Sequence, residues 1–495
     1  MKNQLRIFLL LMALVSYFQI EAQSDILNFN QLLNEGFQNN FDIKLNKFSL
    51  SKADYTLLKA SGGLNANIIT DLTYGEGVNP GLDNDGTQIL QSRLVIPTKF
   101  GVDFYSGFQA ERTINYGSTN TPFNTSGAFA GLRVPLLRGF GKSSLLNTDI
   151  ELSKINKEVR EKEFSNEILT FIRNILNNYL TLKQVVQEYH IMKNLVDDSK
   201  IHREQIKTLV ENDLIPFSEN TRANSNFISI NQNLKISKIQ VSQVYFETKN
   251  LIGVDNSRSD SIPILMDLFP NPDKQIIDSF ITEKESNLDS LIKNSPQYKS
   301  IALGVDENQI LLKNAQNQKR NPLNLDVRVS NFGSYENGDF NLRNTFNSTP
   351  GTSLLVTLTH LFPIKNQQQK GAYLEQLTEY DVSKTNLNQY LYESKINAEI
   401  NISLLKQKLV IFDDVQSLVS ISEKVWTDEI EKYKLGNSTL TDIIIARNVH
   451  YNAKKSFVQL KYDILKTYIN IKYILGELPK NEEELNDFTL TTLLN

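Results

Sequence analysis

The sequence contains no cysteine, which excludes disulfide cross-links, thiolate metal sites and a lipid anchor on an N-terminal cysteine. Beyond its N-terminal segment it also lacks any run approaching the roughly 20 apolar residues of a membrane-spanning helix, so no helical anchor is expected. The formal net charge is −4 and there is no basic stripe, which sets nucleic acid aside as a partner. No glycine loop is arranged to cradle phosphate, because Gly75 and Gly77 lie between strand-like stretches where turn chemistry accounts for them. The four histidines, His190, His202, His360 and His450, are scattered without metal-ligand spacing, and solvation or packing accounts for each. With no catalytic constellation, neither enzyme activity nor a cofactor or metal is expected.

The N-terminus reads as a secretory signal over 1–23: Lys2 and Arg6, an apolar run from Ile7 to Phe18, then Ile20-Glu21-Ala22 before the cleavage point. Two stretches, 142–212 and 367–435, carry long helical patterns, and at about 1.5 Å per residue each spans on the order of 100 Å. The stripe Ile168, Ile172, Ile175, Tyr179, Leu182, Val186, Tyr189 steps alternately by four and three, the spacing of a coiled-coil seam. Leu391, Lys395, Ala398, Ile402, Leu405, Leu409 and Phe412 repeat it with one polar exception. Helices this long cannot be buried by one small core, so they must pack along each other.

Each long helix breaks and turns into a second one, over 216–252 and 439–476. Pro216 suits the first helical position, where its missing N–H costs nothing. Gly436 suits a left-handed turn, after which Asn437 or Ser438 can cap the returning helix. The two hairpins are related by an ungapped internal repeat, Asp213–Gly253 lying over Gly436–Gly476, with Ala223 over Ala446 and Ile252 over Leu475.

Alternation marks the strands. Ala66, Ile68, Thr70, Leu72 and Tyr74 share one face of 64–74, opposite Asn65, Asn67, Asp71 and Thr73. In 323–332, Leu323, Leu325, Val327 and Val329 alternate with Asn324, Asp326, Arg328 and Ser330. Strands over 126–135 and 353–362 follow, each with a proline exit, Pro135 and Pro363. Such two-faced strands fit a membrane barrel wall and equally a half-buried soluble sheet. The first half carries an extra hairpin, 88–112, whose place relative to any barrel the pattern leaves open. The expected organisation is a first repeat over 24–256, a polar connector over 257–295 with some helix, a second repeat over 296–478 opening with a helix at 296–320, and a polar tail over 479–495.

Helix, two strands, long helix, turn and helix, given twice behind a signal segment, resemble the TolC family of outer-membrane efflux proteins. The resemblance rests on the strand exit LRVPLLRGFG (Leu132–Gly141), its counterpart THLFPIKN, and the run YKLGNSTLTDIIIARNVHYNAKKSFVQLKYDILKTYINIKYILGEL from Tyr433 to Leu478. It implies a mixed α/β, mostly α membrane protein. Four strands per protomer would form a trimeric 12-stranded outer-membrane β-barrel, continuous with a periplasmic α-helical barrel of coiled-coil hairpins. It further implies a homotrimer in outer-membrane lipid, a passive exit duct working with a periplasmic adaptor and an inner-membrane pump.

The family's mouth residues carry over one by one. The first aspartate of its acidic ring matches Asp442, the second falls on Ile445, the locking arginine falls on Ser438, the tip tyrosine is Tyr433 and Glu219 stands for the partnering acid. The plainer reading is that Asp442 and Glu219 only complement helix N-termini, for about 0.3–1 kcal/mol each. Adaptor docking is expected at the tips, on Asp213, Leu214, Ile215, Pro216, Gly436, Asn437, Thr439 and Leu440. The reading of a different class is a periplasmic or surface coiled-coil structural protein without channel activity.

Overall fold

The structure is a computed structural model that describes residues 26–79, 82–115, 123–254, 262–265, 272–336 and 351–490. The expected signal segment lies outside the described residues. In chain order the elements are β1 (Ile26–Leu27), α1 (Phe29–Asn39), α2 (Phe41–Gly62), β2 (Asn67–Asn79), β3 (Leu82–Pro97), β4 (Asp103–Asn115) and β5 (Phe123–Pro135), then α3 (Leu145–Glu211), α4 (Phe217–Ile252), β6 (Ile264–Leu265), α5 (Lys274–Glu285) and α6 (Leu288–Asn294). They continue with α7 (Pro296–Gln318), β7 (Leu323–Glu336), β8 (Gly351–His360), α8 (Gln367–Lys434), α9 (Leu440–Ile474) and α10 (Glu482–Asp487). No described helix is long and apolar enough to cross a membrane. The chain divides into two compact units.

One unit is helical, formed by the chain up to Lys47, Glu163–Tyr298 and the chain from Tyr390. Its core is the seam read from the sequence. Ile172, Ile175, Tyr179 and Leu182 are fully buried, as are Ala398, Ile402, Leu405 and Leu409, because a repeat stepping by four and three keeps one stripe facing its partner along many turns. Lys395, the polar exception, turns out of the seam to Asp289 at 3.0 Å.

The described part of the connector is more helical than its composition suggests. α5 and α6 bury Ile277, Ile281, Leu288 and Ile292 in the same core, and Phe280 meets Tyr468 edge-on with ring centroids 4.8 Å apart. Asp273 accepts from the backbone N–H groups of Gln275 and Ile276, so the helix starts at Lys274. β6 pairs in parallel with β1. The tail also packs: Leu485 and Leu490 are buried and Phe488 lies against Phe29.

The other unit, Phe48–Lys162 with Lys299–Gln389, is built on an antiparallel sheet of six strands in the order β2-β3-β4-β5-β7-β8. The resemblance implied four. The extra hairpin is two full strands, β3 and β4, inserted between β2 and β5, its register unbroken on the β5 side and shifted on the β2 side only between Gly77 and Asn79. Directly paired residues share a face in an antiparallel ladder. One face therefore carries Ile68, Leu72, Leu90, Leu94, Phe104, Phe108, Leu132, Val327, Val329, Leu354, Val356 and Leu358, and the inserted hairpin continues it without a break. The opposite face carries Asp71, Arg93, Gln91, Gln109, Tyr105, Arg133, Asp326 and Arg328. β2 and β8 end the sheet, and every residue of β8 is exposed.

Candidate functional site: the hairpin tips and the polar sheet face

Both tips close their long helix in the same way. After α8, the Gly436 N–H donates to the Tyr433 carbonyl at 3.0 Å and the Asn437 N–H to the Lys432 carbonyl at 2.8 Å, with Gly436 at φ 77°. This crossed pair is a Schellman closure, which satisfies carbonyls the helix end would orphan. After α3 the same pair forms from the Asp213 N–H to Val210 and the Leu214 N–H to Leu209. Here the left-handed position is held by a non-glycine, Asp213, at φ 57°.

The returning helices start differently. Pro216 sits at the N-cap itself, extended and without a side-chain cap, one position ahead of the expected first helical position. The cap of α9 is Thr439 rather than Asn437 or Ser438, because Asp442 three residues on completes a capping box. The Thr439 N–H and hydroxyl donate to Asp442 Oδ2 at 3.0 and 2.6 Å, and the Asp442 N–H donates back to Thr439 Oγ1 at 3.3 Å. These hydrogen bonds hold the Asp442 carboxyl below the usual aspartate range.

Ser438, at the family's arginine position, donates to Glu429 Oε2 at 2.6 Å, and Lys432 Nζ reaches the other oxygen at 2.6 Å. The Lys432 contact first, then Ser438, lowers the Glu429 pKa. Glu219 turns to Arg222 at 3.0 Å, and Arg222 Nη1 also donates to Thr441 Oγ1 at 3.1 Å, tying α4 to the start of α9. Asp442, Ile445 and Glu429 share the wall of a groove of about 360 Å³ between α8 and α9. Glu219 does not line that groove, and Tyr433 lines a different cavity. Among the expected docking residues Asp213, Leu214, Pro216, Gly436, Asn437 and Thr439 are exposed and Ile215 is half-buried. Leu440 is buried against Ile206 and Ala223, because an apolar first-turn residue fills the notch between the hairpins, and it is unavailable to a partner.

Glu429, Lys432 and Arg222 escaped the sequence reading. The spacings Glu429–Lys432 and Glu219–Arg222 are ordinary helical ion-pair spacings, and nothing local marks the reach of Arg222 to another helix.

On the polar face of the sheet, Asp326 is the centre of a cluster. Tyr105 donates its hydroxyl to Asp326 Oδ1 at 2.6 Å and Arg133 approaches the other oxygen at 3.2 Å. Arg328 lies 4.1 Å over the Phe129 ring, and Arg93 faces Asp71 at 3.7 Å. Tyr105 belongs to the inserted hairpin and crosses Gly131, where an added Cβ would fall 2.5 Å from its ring. The hairpin is thus bonded into the face by a side chain as well as by its ladders.

No family model and no curated protein matches the sequence. Solved structures do match the fold. The Vibrio cholerae outer membrane protein VceC superposes with a TM-score of 0.67 at 13% identity, over 90% of this chain and 96% of that one. The Campylobacter jejuni CmeC outer membrane channel gives 0.66 at 14% identity, over 94% and 90%. The Neisseria gonorrhoeae MtrE outer membrane channel in its open state gives 0.63 at 10%, over 90% and 88%. Sequence identity this low carries the architecture alone, and on that ground the chain has the TolC-like fold of the outer-membrane channels.

Proposed function

We propose that this protein is an outer-membrane exit duct, a homotrimer that passes substrates outward from a periplasmic adaptor and an inner-membrane pump while performing no chemistry of its own. The observation that carries the reading is the sheet, with one apolar and one charged face and two free edges. An apolar outer face suits hydrocarbon and a charged inner face suits a water-filled passage. Six strands fall short of the roughly eight of the smallest barrels, and an open edge is not tolerated in lipid. β8 of one copy pairing with β2 of the next removes both edges at once. Three copies of six strands make a wall of 18, where the four-strand expectation gave 12.

Exposed apolar rows on the helices support the same assembly. Val410, Leu418, Ile421 and Val425 lie uncovered on α8 and suit a neighbouring copy. At the tips, Asp442 from each copy would line the mouth, with Ile445 beside it. Ser438–Glu429–Lys432 and Glu219–Arg222–Thr441 would hold the tips closed in place of the family's arginine. The exposed tip residues Asp213, Leu214, Pro216, Gly436, Asn437 and Thr439 would meet the adaptor.

The test is the purified full chain in detergent and in planar bilayers. A trimer by mass with stepwise conductance is the expected result. A soluble monomer without conductance would instead establish the coiled-coil structural protein.

A further inference from the structure

Between α3, α8 and α9, near the tips, lies a cavity of about 610 Å³. Ile206, Leu209, Ile430 and Ile443 give it apolar walls. Into it project Arg447, His202 and Trp426. Arg447 is only 2% exposed, yet its Nε and Nη2 have no hydrogen-bond partner, and neither have His202 Nε2 and Trp426 Nε1. Buried donors are almost always satisfied, and a buried guanidinium left open is costly. The carboxylate of Asp198, also on the lining, already accepts the Tyr451 hydroxyl. These four open nitrogens around an apolar hollow describe what is missing.

We propose that the cavity is a binding site for a small apolar carboxylate, its acid group gripped by Arg447 and its hydrocarbon or aryl body against the isoleucine and leucine walls. A carboxylate presents two oxygens at the spacing of the guanidinium fork. A cation is repelled by Arg447 and by Lys434 on the lining. A dianion is disfavoured because Asp198 opposes a second negative charge. The hollow lies within the roughly 300–1,000 Å³ of small-molecule pockets. His202 contributes a neutral ring, since burial, helped by the charge of Arg447, lowers its pKa to about 4. It hydrogen-bonds the ligand without changing the charge count. An occupant joins three helices at the end where α9 begins, so it stiffens the tip.

The sequence has a single tryptophan, and it is Trp426 on this lining, so emission excited at the red edge, where the 19 tyrosines absorb little, reports on the site. The detergent-solubilised full chain is titrated with 4-phenylbutyrate and, in parallel, with 4-phenylbutyramide, which has the same body and no charge. Saturable change with the acid, at least tenfold tighter than with the amide, is expected. Arg447→Met should abolish the preference, and Arg447→Lys should weaken it by keeping the charge without the fork. Should Arg447→Met fail to fold, Leu209→Phe fills the cavity while leaving the arginine in place, and should abolish saturation. Equal affinity for acid and amide, or no saturation with either, overturns the site. No saturation is also the outcome if an acidic side chain of another copy occupies the hollow, and a failed duct reading is separately visible as lost conductance.

Discussion

At the scale of single residues, the tips show one chemical task given to different side chains. Gly436 and Asp213 close their helices with the same left-handed turn, but Asp213 carries a Cβ that disfavours it. Asp213→Gly should therefore raise stability by about 1 kcal/mol, read as a higher melting temperature of the assembly; a lower one would mean that the Asp213 side chain itself holds the turn. Asp442 fills the capping role weighed for it, and its charge suits the ring role proposed for it. Its carboxyl completes the capping box, and its lowered pKa keeps it charged as the pH falls to the ordinary aspartate value. Asp442→Asn preserves an acceptor for the Thr439 N–H while removing the charge. It should reduce cation selectivity and block by multivalent cations in single-channel recordings, with little change in melting. Unchanged selectivity with lowered stability would leave only the cap. The capping residue was misplaced from sequence because Asn437, Ser438 and Thr439 are all good caps, and only Asp442, three residues after Thr439, breaks the tie.

Among the elements, the long helices were the most readable, since a seam repeated over many turns leaves a periodic record at Ile168 to Val186 and at Ala398 to Leu409. Ile175 is fully buried in it. Ile175→Asp should cost more than about 3 kcal/mol by burying an unpaired charge in place of a packed side chain, and so lower the folded yield in membranes. Unaltered yield and heat resistance would show the seam to be dispensable there. The hairpin over 88–112 had a clear strand pattern but no readable place, because alternation records that a strand has two faces and not which strands flank it. In the six-stranded sheet the hairpin pairs with its chain neighbours, β3 with β2 and β4 with β5, and the pairing of strands distant in sequence is β5 with β7. The helices of the connector were partly hidden for a related reason. Their short apolar sets, Ile277 with Ile281 and Leu288 with Ile292, are too few to stand out from a polar background.

For the whole molecule, the inserted hairpin would set the bore of the proposed trimer. Strands about 4.8 Å apart and tilted about 40° give an 18-stranded wall a backbone diameter of roughly 36 Å, against roughly 24 Å for 12 strands. In the proposed trimer, polyethylene glycols of graded size should enter the open pore up to a cut-off above the one that a wall of 12 strands would set, with conductance larger in proportion. A cut-off no larger would mean that the hairpin folds away from the wall or that loops fill the passage. The two free edges, β2 and β8, carry a further consequence for biogenesis. A lone chain cannot dwell in hydrocarbon with a row of unpaired backbone groups on each side, several kcal/mol apiece. In the proposed duct, threading into the bilayer and meeting sister chains would be a single event, and supply of the newest chain would limit completion of the oldest. Under that arrangement a defect in one edge is poisonous rather than merely inactive. A copy bearing Val356→Pro in β8 would still offer a sound β2 to its neighbour, be admitted to the ring and leave it unsealed, so co-expression with the unaltered chain should depress channel formation far below the fraction of unaltered protein.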